Sequence, residues 1–537
     1  MRQEKATGHA GVPTVRTVLP SSRNSLFEAE AESKSFEKDS PPLCTYDVED
    51  VGKLMQGSLD KMSFSQVLGL TCVLGLGNAA DAVEITKAGF FLPDLPDLTV
   101  TQASLLTCSV FLGMFFGGAL VGSVSDQVGR RMTYTVTLAI NGIASLGSAI
   151  FPSLGAVIFF RFIGGITIGG TIPCIFTYGA ELFPTRYRGK VITAIGSFFM
   201  VGSIYVAVAA MIMLANNETS GTTLSSSMRS YVVVTSFPVW MAFILAYLYI
   251  PESPLFLLNK KKYAELLIVL QSAYGATSLE LAPLKMMLDN SPPQVNTKVM
   301  KPTSYWSETK ENFQVLISSP SLFKQAICLM VVYTTLAYSS YGITIWISKL
   351  YLDEGIKSEY QAALLFTAAH VPANIISICM VDWAGRKKLL VIGLGCSFVA
   401  GLISAFATSN KALIIALTSL FNMTTVIAWN VLNCFSVESF PTRIRSSTMG
   451  LMGAMGRVSA AVAQFSNASM QNNVEELLIV TAVILLVGTI SATLLTETSQ
   501  AALSETEAPK DFTYERVATL NPVTERATYQ RAQDQVL

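Results

Sequence analysis

Long apolar runs separated by short charged breaks dominate the chain. Each run is about the 20 residues that a helix needs to cross a bilayer core of about 30 Å. Six fall at 63–92, 102–124, 132–151, 155–181, 191–214 and 230–250. A polar stretch follows, and six more fall at 325–350, 359–381, 389–408, 411–436, 447–469 and 474–495. The pattern predicts an all-α membrane protein with twelve transmembrane helices in two six-helix bundles, 61–250 and 325–496. Between them, 251–324 reads as a cytosolic linker with short helices. The polar ends, 1–60 and 497–537, read as disordered cytosolic tails.

Loop charge gives the orientation. One set of loops holds Arg130 and Arg131; Arg186, Arg188 and Lys190; Lys260, Lys261 and Lys262; Arg386, Lys387 and Lys388; and Arg443 and Arg445. The alternate loops hold Asp94, Asp97, Glu218, Glu475 and Glu476 with few bases. The positive-inside rule places the first set and both tails in the cytosol. Asn217, in the sequon Asn217-Glu218-Thr219, then lies outside as a glycosylation candidate.

Composition agrees. The chain is 51% hydrophobic and 14% charged, where a soluble protein carries about 25% charged residues. Zero net charge gives no argument for nucleic acid as a partner. Seven of the eight cysteines sit in apolar runs, and only His9 and His370 are present, so neither a disulfide framework nor a metal site is expected. The N-terminus lacks the apolar core of a signal peptide. No GxxxxGK[ST] loop is found, and no cofactor is expected.

Two motifs occur twice. AELFPTRYRG (180–189) returns as VESFPTRIRS (437–446), so Glu181 and Glu438 stand 257 positions apart (438 − 181). GSVSDQVGRR (122–131) returns as VDWAGRKK (381–388), so Asp126 and Asp382 stand 256 apart (382 − 126). Two motifs sharing nearly one offset indicate a duplicated six-helix unit with parallel halves. Asp126, Gly129, Arg130 and Arg131 end the second span, Glu181 and Arg188 follow the fourth, and Asp382, Arg386, Glu438 and Arg445 are their echoes. Such charges either build an inner network between the halves that biases a conformational equilibrium, or serve only to set topology.

At these residues the sequence resembles the major facilitator superfamily, whose signature after the second helix is G-x-x-x-D-x-x-G-R-R. RFIGGITIGG (161–170) and PESP (251–254) resemble the branch holding organic cation and anion transporters, the synaptic vesicle glycoprotein two group and sugar porters. DAVEITKAGFFLPDL (81–95) and SYGITIW (340–346) look like the synaptic-vesicle group. The resemblance covers about 60–500 and implies a secondary transporter. It brings Arg161, in the first of these motifs, into the conformational set.

Ionisable groups at bilayer depth are costly unless paired, hydrated or neutral. Asp81 and Glu84 lie inside the first span at i, i+3, on one helix face. Their mutual repulsion suits proton binding or a cationic cargo; Lys87, one step on, can also simply neutralise Glu84. Arg457 lies about ten residues, or about 15 Å, into the eleventh span. By resemblance to organic anion transporters it would hold a cargo carboxylate; the alternative is an internal salt bridge to Asp81 or Glu84. His370, in the eighth span, either relays a proton or sits neutral against a neighbour.

Tyr205, Tyr338, Tyr341, Trp346 and Trp429, with Asn430 and Asn433, are candidates to line a cavity, although each also suits helix packing. Gly113/Gly117, Gly118/Gly122 and Gly165/Gly169 are small-x-x-x-small pairs that predict close helix approach.

The leading expectation is a secondary active transporter of a small organic ion (carboxylate, zwitterion or amine), working by alternating access, with proton coupling left open. The alternatives are a sugar transporter of the same superfamily and a non-transporting vesicle or receptor protein. No nucleophile–base constellation suggests an enzyme. The expected partners are the cargo and the lipid bilayer, in a plasma or intracellular vesicle membrane.

Overall fold

A computed structural model describes residue 55 and residues 57–214, 223–277, 281, 282, 285, 314, 316–356, 358–407 and 410–497. Within them lie the twelve expected helices, six in each half. The first span is Phe64–Thr86 continued by Ala88–Asp94. Then come Val100–Val128, Arg130–Ile150, Leu154–Leu182, Thr185–Met213, and a sixth made of Ser226–Thr235 and Phe237–Tyr249. The seventh is Pro320–Asp353, and the eighth joins Glu359–Ala368 to His370–Ala384. Arg386–Phe406, Lys411–Ser439, Thr442–Ser469 and Val474–Thr493 complete the set. The linker contributes the short helices Pro254–Asn259 and Tyr263–Ser272.

Among the described residues, ten helices are long and apolar enough to cross a membrane. The third and eleventh are long but too polar for that criterion, and the reason is what they bury. The third turns Thr133, Thr137, Asn141, Ser145 and Ser148 into the bundle. The eleventh carries Arg457 among small and hydroxylated residues.

Two glycine pairs do what their spacing predicts. A Cβ at Gly117 would lie 1.9 Å from the Ile166 carbonyl oxygen, and one at Gly165 would lie 2.2 Å from that of Val110. The second and fourth spans therefore touch backbone to backbone. Gly118 and Gly122 do not take part: a Cβ at Gly118 would meet its nearest atom at 3.5 Å, and one at Gly122 would meet nothing within 4 Å.

Packed residues reach slightly beyond the expected bundle limits at both ends. Leu59 is 2% exposed and, with Met55 and Met62, packs in the apolar cluster that holds Leu266 and Leu270 of the linker helix. At the other end, Glu497 is engaged with the ninth helix. The apolar side chains before 61 have a surface to cover, and Glu497 has backbone donors to meet.

The halves meet asymmetrically. Contacts between them pair the second span with the eleventh, the fifth with the eighth, and the outer end of the first with the seventh. One buried apolar cluster takes in the second bundle together with the outer parts of the first, including Phe91, Leu106, Phe111, Val206 and Tyr231. The inner part of the first bundle forms a separate cluster, with Tyr134, Cys174, Tyr178 and Ile195, that holds no residue of the second half. The halves are thus sealed together outside and parted inside, which leaves the chamber between them open on the cytosolic side.

Candidate functional site

Four buried ionisable groups of the first half lie together: Asp81, Glu84, Lys87 and Arg161. The Lys87 Nζ lies 2.5 Å from a Glu84 carboxylate oxygen and donates to Ser145 Oγ at 2.8 Å. Arg161 reaches the other Glu84 oxygen at 3.8 Å, donates to the carbonyls of Leu106 at 3.2 Å and Glu84 at 3.4 Å, and sits 5.6 Å from the Phe91 ring centre. Lys87 and Arg161 are fully buried. Asp81, one turn below Glu84, is fully buried too, and both of its carboxylate oxygens lack a hydrogen-bond partner among the described residues. An ion in such a place is expensive unless it is neutralised or meets a counter-charge.

The second half presents a half-buried cation. Arg457 has its Nε shielded from solvent and without a hydrogen-bond partner among the described residues. It neighbours Tyr333 and Tyr341. Trp429 packs on both rings, at 5.7 Å and 6.2 Å between centres, and its indole donates to Ser340 Oγ at 3.0 Å. Tyr333 donates to Asn433 at 3.0 Å. Asn433, one turn further in, is exposed at the inner opening. A guanidinium with its fork unpaired, walled by aromatic rings and open to water on one side, can accept a carboxylate in bidentate fashion.

Above this level the chamber is closed by aromatics. Phe111 of the second span meets Tyr341 at 5.2 Å. Phe90 sits between Tyr231 of the sixth span and Tyr360 of the eighth, at 6.0 Å and 6.1 Å. A Cβ at Gly89 would lie 2.6 Å from the Ile345 carbonyl oxygen, so the outer ends of the first and seventh spans are also in backbone contact.

The inner charges form two matching clusters. Arg130 pairs with Glu181 at 3.3 Å, and Arg386 pairs with Glu438 at 3.3 Å. These pairs run within each half rather than between halves. Gly129 (φ 117°) and Gly385 (φ 86°) make the turns before the third and ninth helices, in the region that favours glycine. Glu252 accepts from the backbone N–H groups of Arg130 and Arg131 at 2.9 Å and 3.1 Å. Glu497 accepts from those of Arg386 and Lys387 at 3.1 Å and 3.2 Å. Arg131 also donates to the Tyr247 carbonyl at 2.8 Å, and Arg445 to that of Phe440 at 3.2 Å. Arg188 has its Nε buried without a hydrogen-bond partner among the described residues. The side chains of Asp126 and Asp382, and the whole of Asn217, lie outside the described residues.

The same architecture in both halves identifies the duplication, and a family comparison decides the assignment. Residues 57–508 match the sugar (and other) transporter family. The chain belongs to that family. The transporter is 26% identical over 411 residues to a niacin transporter, NiaP, of Acinetobacter baylyi, covering 73% of this chain and 85% of that one. A putative niacin/nicotinamide transporter of Bacillus subtilis is 26% identical, covering 75% and 87%. Synaptic vesicle glycoprotein 2B of mouse is 29% identical over 340 residues, but the transporter spans only 48% of its length. In fold it is similar to the xylose transporter XylE of E. coli in a partially occluded inward-open conformation, with a TM-score of 0.63, 17% identity, and coverage of 81% and 99%. It is therefore a multi-pass membrane transporter of the major facilitator type.

The other candidate residues take varied places. Arg161 lies near the outer end of the fourth span, apart from the inner charge clusters, with Glu84 as its counter-charge. Arg457 is not bridged to Asp81 or Glu84, because Glu84 is held by Lys87 and Arg161. Trp346 is 2% exposed and donates to Gln464 at 2.9 Å, so it packs the seventh span onto the eleventh instead of lining the chamber. Tyr338 is likewise buried. Tyr205 donates to the Val234 carbonyl at 2.8 Å, tying the fifth span to the sixth. Asn430 links to Asn374 and Ser377 at 3.0 Å and 3.2 Å. The Nδ1 of His370 lies 2.7 Å from the Thr367 carbonyl oxygen at the break in the eighth span.

The sequence reading passed over Tyr333, Glu252 and Glu497. Tyr333 stands eight residues before Tyr341, two turns on the same helix face, which was the available signal. Glu252 lies in the quoted PESP motif, but its echo Glu497 is 245 positions on (497 − 252), outside the common offset.

Proposed function

We propose that this transporter carries a small organic anion by alternating access, binding the cargo carboxylate at Arg457 against Tyr333, Tyr341 and Trp429. The unpaired Arg457 in an aromatic, inward-open chamber carries the reading. Relatives named as niacin transporters support it, since niacin is a flat ring bearing one carboxylate. Asp81, also unpaired, then faces the cargo's positive end or takes a proton. Rocking of the halves about the second–eleventh and fifth–eighth contacts exposes the site to each side in turn. The reading includes no catalytic role.

Uptake into proteoliposomes tests it, with aromatic monocarboxylates, amines and pentoses compared. Saturable uptake of an aromatic monocarboxylate, abolished in Arg457→Ala, is the expected result. Uptake of a pentose alone would favour the sugar reading. No uptake of any class would favour an interaction protein of the synaptic-vesicle kind.

A further inference from the structure

Glu84 has an occupant of its own. Its carboxylate lies deep in the membrane-spanning region and is 4% exposed. One oxygen is 2.5 Å from the Lys87 ammonium. The same ammonium donates to Ser145 of the third span. Lys87 is 0% exposed, so it is committed to this place and does not snorkel to water. It also stands at the break between Phe64–Thr86 and Ala88–Asp94, where a chain turn fixes it.

The contacts give this pair a meaning. Among the buried ionisable groups of the first half, Glu84 is held by Lys87 at 2.5 Å and by Arg161 at 3.8 Å; Asp81 stands one turn away without a hydrogen-bond partner among the described residues; and Asp94, at the outer end of the first span, accepts from the Ser225 backbone N–H at 3.1 Å. Without Lys87, Glu84 would keep only the more distant guanidinium, and the nearer place would be open to an imported cation such as the ammonium of a cargo. The other polar groups around Glu84 are neutral: Ser145 and Asn141 on the third span, Cys108 on the second near Arg161, and Tyr231 on the sixth.

We propose that Lys87 is a built-in counter-cation for Glu84, occupying the position that a transported cation would otherwise fill. Glu84 therefore keeps Lys87 as its partner through the transport cycle and exchanges no ion. Any cation that moves with the cargo must be met elsewhere. This residue sets which ions the carrier needs, and it rests on the transport reading above only for that consequence.

The test uses the full chain, with Glu84→Gln, Lys87→Met and the double variant, read by thermal unfolding. Each single variant leaves one buried partner of the contact without the other; the double variant removes both. The proposal expects each single change to lower the unfolding midpoint and the double change to recover most of the loss. A double variant less stable than either single one overturns the proposal. This readout needs no cargo, so failure of organic-anion uptake would sink the transport reading and leave this one standing. Where uptake is seen, the double variant should retain it; a double variant that is stable but inactive would show that Glu84 handles a transported ion.

Discussion

At the scale of the residue, Arg457 decides what the chamber can hold. A guanidinium offers a planar fork to a carboxylate, whereas an ammonium offers a point charge. Arg457→Lys keeps the charge and loses the fork. Hydrogen bonds to charged groups contribute about 1.5–3 kcal/mol each. The half-saturation concentration for an aromatic monocarboxylate should therefore rise about ten- to a hundredfold, at about 1.4 kcal/mol per tenfold. Initial-rate uptake kinetics check this; an unchanged half-saturation concentration would place the cargo elsewhere. Arg457, Asp81 and Glu84 were legible as buried charges from the sequence, because an ionisable residue in an apolar run stands out without any knowledge of the fold. Their partners were legible only where they were local. Lys87 lies three residues from Glu84 and could be suspected. Arg161 lies 77 positions away (161 − 84), and no spacing rule connects the two.

Elements carry the next set of expectations. The second and fourth helices are in backbone contact at Gly117 and Ile166. A side chain at Gly117 has nowhere to go without moving a helix. Gly117→Val should cost about 1–3 kcal/mol or more by overpacking, seen as a lowered unfolding midpoint in detergent. Gly122→Val, where no atom lies within 4 Å of the added Cβ, should be tolerated. The third and ninth helices begin on the carboxylates of Glu252 and Glu497, each of which accepts two backbone N–H groups at a helix N-terminus. Replacing either with Ala should cost about 1–2 kcal/mol. The two sites sit in different halves with no shared partner, so the losses should add, which chemical or thermal unfolding of the double variant checks. Helix existence and order were legible, since an apolar run of span length has few other uses. The third and eleventh helices show the limit of composition alone. Their polar faces are buried against other helices, so hydropathy undervalues them, while the duplication reveals them.

For the whole molecule, the seam between the halves matters most. It is closed outside by Gly89 against Ile345 and by Phe90 between Tyr231 and Tyr360. No counterpart in the inner apolar cluster of the first half joins it to the second. Gly89→Val should prevent the outer ends from closing and so favour the outward-open arrangement. A cysteine placed on the outer chamber wall should then label from outside more readily than in the parent; equal labelling would contradict that role for the contact. The six-plus-six plan followed from two motifs at one offset, but which side is open did not. The same sequence must support both arrangements of a carrier, and only the packing of the halves distinguishes them. The most direct test is the distance between spin labels on the inner ends of the fifth and eleventh helices, measured by electron resonance with and without an aromatic monocarboxylate. The account predicts that cargo shortens this distance and that Arg457→Ala removes the shift. An inner distance indifferent to every organic anion, or shortened equally in Arg457→Ala, would contradict it.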